Sequence, residues 1–293
     1  MKQLDTIVED IYGLFQEDGE KIPREEATVL IKQMADNMYT TVLNRLYDEE
    51  RGREKSLRMS NIGKKDRQLY YELNEEQDTQ AETLSPEVYI KFMYGDLIEE
   101  MLLLFAKLSG HVVTDEQKEV EVNGVLGHMD CKIDSIPLDC KSASKFSFGK
   151  FFDGTWVDKD PFGYRGQLAG YMEACESDTG AFLVMNKETG QICLANMHKM
   201  ELPNATDRID HLREVIAADA PPDRCYDDVT DGVGGNRTLS NDCGWCRHKR
   251  DCWSDANGGA GLRAFKYSNG PKYFTNVAKE PRVDEIFNDA EAA

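Results

Sequence analysis

Apolar residues recur at helical spacing in several stretches of the chain and alternate in others. Over residues 24–47, Ala27, Leu30, Ile31, Met34, Met38, Val42 and Leu46 fall on one stripe and predict a helix. Residues 5–17 predict a shorter one. Ser85-Pro86 is a good helix start, and PEVYIKFMYGDLIEEMLLLFAKL then runs toward a stop at Gly110. Beyond it the period drops to two. KEVEVNGVLGHMDCKIDSIPLDCKSAS, with turns at Asn123-Gly124 and near Asp134-Ser135, predicts two or three antiparallel strands. Residues 162–177 return to helix, GAFLVMNKETGQICLAN reads as a hairpin turning at Glu188-Thr189-Gly190, and residues 206–218 read as helix. Residues 75–85 are polar and loop-like. From Asp219 the chain reads as loop-rich, carries four cysteines and passes NGGAG into a tail. This order predicts a mixed α/β fold, a central sheet flanked by helices. It divides into an N-terminal helical region (1–50), a core (51–220) and a Cys-rich segment with its tail (221–293).

Composition narrows the classes. The chain has 293 residues and is 40% hydrophobic, enough for a real core. Its longest apolar run, Met101 to Ala106, falls far short of the ~20 residues of a membrane span. The N-terminus is acidic and lacks the apolar run of a signal peptide. A cytoplasmic protein without membrane contact is therefore expected, its eight cysteines being reduced thiols or metal ligands. Thirty-five Lys+Arg against 54 Asp+Glu give a net charge of −19, which argues against a polycation that coats nucleic acid. The charge is uneven, however. Arg51, Arg53, Lys55, Arg58, Lys64, Lys65 and Arg67 stand among only two acids and precede Tyr70 and Tyr71. Basic residues interleaved with aromatics suit a DNA strand, and a solvated basic loop with buried tyrosines gives the same pattern.

The central hairpin carries candidate chemistry. Asp130 ends one strand, and Asp139-Cys140-Lys141 lies on the next, where alternation puts Asp139 and Lys141 on one face. Two carboxylates and an ammonium that converge can hold Mg²⁺ (or Mn²⁺) and serve an attacking water. D-x-K alone is equally a solvated strand edge. Two helical motifs raise its weight: Gly95-x-x-x-Glu99, with Glu100 a competing choice, and Gln167-x-x-x-Tyr171, an i, i+4 pair. The segment after Lys141, rich in Phe with Trp156, Lys145, Lys150 and Arg165, reads either as a gate beside the site or as core packing. His128 is two residues before Asp130 and more simply read as uninvolved.

The order G-x-x-x-E, G-x-x-D, D-x-K, Q-x-x-x-Y, with MSNIGKKDRQLYYELN upstream, resembles the RecB-like branch of the PD-(D/E)XK nucleases. Within it the nearest likeness is to exonucleases of tailed bacteriophages, which are similar in turn to the iron–sulfur nuclease of CRISPR adaptation. The resemblance spans roughly residues 51–285 in short motifs. It implies a restriction-endonuclease-like core and a Mg²⁺-dependent DNA exonuclease of phage DNA processing or recombination, with phage recombination or replication proteins as partners. Glu99, Asp130 and Asp139 would hold the metal, Lys141 would serve the water, and Gln167 and Tyr171 would support the site and contact DNA. Arg53, Arg58, Lys64, Lys65 and Arg67 would meet DNA phosphates. Asp139 stands where Glu is more frequent. A CRISPR-adaptation-type nuclease and a catalytically inactive DNA-binding module are the alternatives, and a metal-sensing protein built on the cysteines is a third.

Cys243-x₂-Cys246-x₅-Cys252 has metal-ligand spacing, with Cys225 as the fourth thiolate and His248 its alternative. Zn²⁺ and a [4Fe–4S] cluster both accept four thiolates. Related nucleases close an iron–sulfur cluster with a Cys just after the S-x-x-G segment, and here Lys64 and Lys65 stand in that place. Either Cys225 closes the site or the cluster is lost. Cys131, Cys140, Cys175 and Cys193 read as buried small hydrophobes.

Overall fold

A computed structural model describes residues 2–47, 55–74 and 86–286. The chain divides into two compact units, Met1–Lys64 with Thr83–Leu212, and Lys65–Glu82 with Arg213–Ala293.

The first unit is built on a five-stranded sheet. In chain order its helices are α1 (Ile7–Gly13), α2 (Arg24–Tyr47), α4 (Pro86–Leu108), α5 (Lys145–Phe152), α6 (Tyr164–Ala174) and α7 (Ala205–Ala217), α7 continuing into the second unit. Helix α3 (Asp66–Asn74) belongs to the second. The strands are β1 (Val113–Thr114), β2 (Lys118–Val122), β3 (Val125–Met129), β4 (Cys131–Ile133), β5 (Ile136–Ala143), β6 (Thr179–Asn186) and β7 (Ile192–His198). The sheet order is β1-β4-β5-β6-β7, and β2 and β3 form a separate ribbon. Among the described residues of this sheet only β5 and β6 pair in parallel, with Asp139 opposite Phe182 and Lys141 opposite Val184. The expected mixed α/β architecture, a mixed sheet flanked by helices, is present.

Strand alternation sends the apolar residues of the central sheet to two faces. Leu138, Cys140, Ala181, Leu183 and Met185 pack with Leu102, Leu103 and Ala106 of α4 and with Ile7 and Ile11 of α1. Phe182 and Val184 face the other way, with Phe148 and Phe151 of α5, Trp156, and Leu168 and Met172 of α6. The aromatic segment after Lys141 is thus largely core. The apolar stripe of α2 is only half-buried. Leu30, Met34, Met38 and Val42 lie on its inner side, while Ile31 and Leu46 face solvent. The reason is polar: Asn37 donates to both Glu100 oxygens (3.3 and 3.2 Å), and Arg45 pairs with Asp96. These contacts set the rotation of α2 against α4.

The N-terminus is tied down. His111, fully buried, contacts Asp134 at 2.7 Å and Asp10 of α1 at 3.2 Å. Tyr12 Oη accepts from the backbone N–H of Ile192 on edge strand β7 at 2.7 Å, and Asn196 Nδ2 donates to Asp5 at 2.9 Å.

The second unit corrects the loop-rich reading of residues beyond Asp219. Strands β8 (Val229–Asp231), β9 (Asn236–Thr238), β10 (Arg263–Tyr267), β11 (Gly270–Asn276) and β12 (Glu285–Ile286) form an antiparallel sheet in the order β12-β10-β11-β9-β8. NGGAG is a turn leading into β10, with Asn257, Gly258, Gly259 and Gly261 at positive φ. Leu239, Trp253, Leu262, Ala264, Tyr273 and Ile286 form the core of this unit.

Candidate active site

Asp130 is the residue between β3 and β4, where the chain leaves the ribbon and enters the central sheet. Its Oδ2 accepts from the backbone N–H of Cys140 at 2.7 Å, which sets it beside Asp139 on β5. Asp139 is 1% exposed, and its Oδ2 lies 2.5 Å from Lys141 Nζ without hydrogen-bond alignment. Helix α4 supplies Glu99, whose Oε1 accepts from Gln117 Nε2 at 2.5 Å. The Gln117 backbone N–H in turn donates to Asp130 O at 3.0 Å. Glu99 and Glu100 therefore separate by direction: Glu99 turns toward Asp130 and Asp139, and Glu100 toward Asn37 on α2.

Burial and mutual repulsion act on these carboxylates together. Desolvation, then the charges of Asp139 and Glu100, pushes Glu99 up to about 7. Desolvation, then Asp139 and Glu99, holds Asp130 well above the usual carboxylate range. Burial of Lys141 would lower its pKa, but Asp139 and Asp130 outweigh it and raise the ammonium above its ordinary value. Lys141 is therefore a cation throughout the neutral range.

The Q-x-x-x-Y pair of α6 forms a chain of hydrogen bonds behind that ammonium. Lys141 Nζ donates to Gln167 Oε1 (3.5 Å), Gln167 Nε2 donates to Tyr171 Oη (3.1 Å), and Tyr171 Oη donates to the carbonyl of His128 (2.7 Å). The relay joins β5, α6 and β3. The His128 side chain itself is largely exposed and faces Glu119 of β2 at 3.8 Å.

Glycines explain how α6 comes so close. A Cβ on Gly127 of β3 would lie 2.3 Å from Met59 Cβ, and one on Gly170 of α6 would lie 2.1 Å from Met59 Sδ. Met59, fully buried, is thus a knob seated in two glycine hollows. Gly63 meets α6 backbone to backbone, since its Cβ would lie 2.0 Å from the Gly163 carbonyl oxygen. Asn61 and Arg208 hold this segment. Asn61 Oδ1 accepts from Arg58 N at 2.9 Å, and Arg208 donates to the carbonyls of Ile62 and Lys64 at 2.9 and 2.6 Å.

Of the basic residues, Arg53 lies outside the described residues. Arg58 Nε is buried without a hydrogen bond among the described residues. In the second unit, Lys65 Nζ sits 6.0 Å from the Tyr226 ring centroid. Arg67 turns inward. Its Nε donates to Cys252 Sγ at 3.1 Å, and its other nitrogens reach Pro222 O, Tyr71 Oη and Cys252 O. Those donors are spent within the protein.

Cys225, Cys243, Cys246 and Cys252 come together in the second unit. Burial raises the Cys225, Cys243 and Cys246 thiols, Cys246 to about 11, and the neighbouring cysteines add to each shift. Backbone hydrogen bonds from Arg67 and Gln68 reach Cys225, and one from His248 reaches Cys246. Among the described residues, no three His, Cys, Asp or Glu side chains are set closely enough to surround one metal ion, at this cluster or at the carboxylates. At the carboxylates the cause is local: Glu99, Asp130 and Asp139 each direct an oxygen to Gln117, Cys140 N or Lys141. Sequence reasoning missed Gln117, Met59 and Tyr164. Lys141 Nζ lies 4.8 Å from the Tyr164 ring centroid, and no short motif signals that contact.

No family model matches the chain, and no curated protein matches it by sequence. Crystal structures similar to it at low TM-score include the following. SSO0001 is 12% identical with a TM-score of 0.40, covering 73% of this chain and 91% of that one. The alkaline exonuclease LHK-Exo from Laribacter hongkongensis is 12% identical with a TM-score of 0.36, covering 56% and 91%. A phage-related exonuclease from Haemophilus somnus 129PT is 14% identical with a TM-score of 0.32, covering 55% and 90%.

Proposed function

We propose that this protein is a divalent-metal-dependent deoxyribonuclease of the PD-(D/E)XK type, degrading DNA from its ends. The observation that carries the reading is the grouping of Asp130 and Asp139 beside Lys141, within electrostatic reach of Glu99 and with Gln167 and Tyr171 bonded behind the ammonium; holding one ion requires these carboxylates to turn from Gln117, Cys140 N and Lys141. Buried carboxylates held near one another are unfavourable unless a cation joins them. An all-oxygen donor set suits Mg²⁺ or Mn²⁺, and Asp139 Oδ2, buried with the Lys141 ammonium beside it and no aligned hydrogen bond, fits that purpose. Glu99, Asp130 and Asp139 would hold the ion, which when bound neutralises charge on the scissile phosphate and acidifies a water.

The roles of the other side chains follow from their contacts. Lys141, cationic at neutral pH, cannot take a proton from water. It donates a hydrogen bond and places a fixed positive charge where the phosphate gains negative charge. Gln167 and Tyr171 restrict its position. Cys225, Cys243, Cys246 and Cys252 would hold Zn²⁺ or a [4Fe–4S] cluster, which implies a reducing cytoplasm. Backbone N–H groups aimed at Cys225 and Cys246 oppose the rise that burial imposes on their thiols, and a bound cation would complete that reversal. A role in phage DNA processing or recombination, alongside phage recombination or replication proteins, follows from the motif resemblance. A CRISPR-adaptation-type nuclease is the second reading, favoured by the cysteine cluster. The full acid and lysine set speaks against an inactive binding module.

The test is incubation of 5′- and 3′-labelled duplex and single-stranded DNA with and without Mg²⁺. Wild-type protein is expected to release nucleotides from an end only with the metal. Asp130→Ala and Lys141→Ala are expected to lose cleavage while keeping the circular-dichroism spectrum of the wild type. Wild-type cleavage by both variants refutes the reading.

A further inference from the structure

Phe162 is a large apolar side chain left 62% exposed at the end of a rigid loop. Asp160 fixes that loop by accepting from the backbone N–H groups of Gly163 (2.9 Å), Tyr164 (3.0 Å) and Arg165 (2.8 Å) at the start of α6. Gly163 takes φ +79, and its backbone abuts Gly63, so the loop has no room to shift inward. Phe162 is therefore presented to solvent by well-fixed backbone.

Its ring stacks on Tyr164, with centroids 5.5 Å apart and an interplanar angle of 24°. Tyr164 packs against Phe151 and Phe182 of the core at 6.2 and 6.1 Å. The same ring carries Lys141 Nζ at 4.8 Å from its centroid. An aromatic ladder thus leads from the ammonium beside Asp139, through a half-buried tyrosine, to an exposed phenylalanine.

We propose that Phe162 is the platform on which a nucleobase of the bound strand stacks, next to the phosphate that Lys141 faces. The inference rests on the nuclease reading of the carboxylate–lysine site. A nucleic-acid strand alternates anionic phosphates with flat aromatic bases. The ladder offers a cation at one end and an open aromatic face at the other, in the same sequence. Stacking accepts any base, because every base has a π-face, and so suits an enzyme that moves along DNA without reading it. The pre-set loop geometry limits the ordering cost of forming the contact. Phe162 is a member of neither cluster on the faces of the central sheet, and its ring contact is with Tyr164.

The experiment uses short DNA carrying 2-aminopurine at the terminal or penultimate position, titrated in EDTA with full-length protein. Wild-type protein is expected to quench the probe at one of these positions. Phe162→Ala should lose that quenching and weaken binding about tenfold, within the range for one base–aromatic stack. Phe162→Trp should restore both. Thermal melting of Phe162→Ala should match wild type, since an exposed ring is removed. Binding and quenching by Phe162→Ala equal to wild type overturn the proposal. Cleavage by wild type and by Asp130→Ala, followed in Mg²⁺, separates the two levels. If wild type degrades DNA and Asp130→Ala does not, normal quenching by Phe162→Ala refutes the platform alone. If wild type leaves DNA intact, or Asp130→Ala cleaves as well as it does, the underlying reading fails.

Discussion

Replacing Glu99 with Gln should make the metal-free protein more stable at pH 8 than the wild type. Glu99 is pushed up to about 7 in the native state from an ordinary value near 4.5. At about 1.4 kcal/mol per tenfold change in proton affinity, holding the ionised carboxylate there costs the native state about 3 kcal/mol above pH 7. The sign follows from proton counting. Between pH 4.5 and 7 the native state keeps a proton that the unfolded chain has lost, so stability falls as pH rises through this window and levels off above it. Glutamine carries no charge to desolvate and can still accept from Gln117. Urea unfolding in EDTA at a series of pH values measures both proteins. Their difference should be small at pH 4 and grow by up to about 3 kcal/mol in favour of Glu99→Gln by pH 8. Taking differences cancels the titrating groups that Glu99 does not touch, while Asp130, which its charge raises, responds together with it. A difference that stays flat from pH 4 to 8 would refute the electrostatic account of Glu99. Adding Mg²⁺ should reverse the order at pH 8, because the ion relieves the repulsion only where the carboxylate is present.

Three further outcomes follow from other parts of the structure. Gly170→Ala should destabilise the protein by about 1–3 kcal/mol through overpacking against Met59, and Met59→Ala in the same chain should recover part of the loss, a coupling read from a double-mutant cycle of urea midpoints. Cys246→Ser should lower the zinc or iron content found by elemental analysis and destabilise the second unit; a wild-type chain free of both metals after anaerobic purification would remove the basis for this expectation. Neutralising Arg53 and Lys65 together should weaken DNA binding and reduce its salt slope by about 2, and an unchanged slope would show a merely solvated face.

Legibility in the sequence followed the range of the physics involved. Asp139 and Lys141 could be set on one face because a strand alternates with period two. Gln167 and Tyr171 could be paired because a helix brings i and i+4 together. Both are local rules, and the hydrogen bonds from Lys141 to Tyr171 connect the two results. Choosing between Glu99 and Glu100 needed more. Adjacent helical positions differ by about 100° of rotation, and only the tertiary partner of each, Gln117 or Asn37, decides its direction. Met59 was illegible because its meaning lies in Gly127 and Gly170, far away in sequence. The stripe on α2 misled because Asn37 and Arg45, both polar, dictate which side turns inward. The second sheet escaped notice because β8, β9 and β12 have only two or three residues each, too few to show a period.

The bond from Ile192 to Tyr12 has a consequence for how molecules of this protein meet one another. Strand β7 ends the central sheet, and an uncovered sheet edge is a template for pairing with another chain. Tyr12 and Asp5 occupy part of that edge, at Ile192 and Asn196, and α1, which carries Tyr12 and follows the turn holding Asp5, is anchored through Ile7, Ile11 and the Asp10–His111 contact. A chain cut to begin at Arg24 would bare both the ladder of β7 and the apolar face of α4. It would self-associate at concentrations where the full chain stays dispersed, and its aggregates would grow from the sheet edge outward.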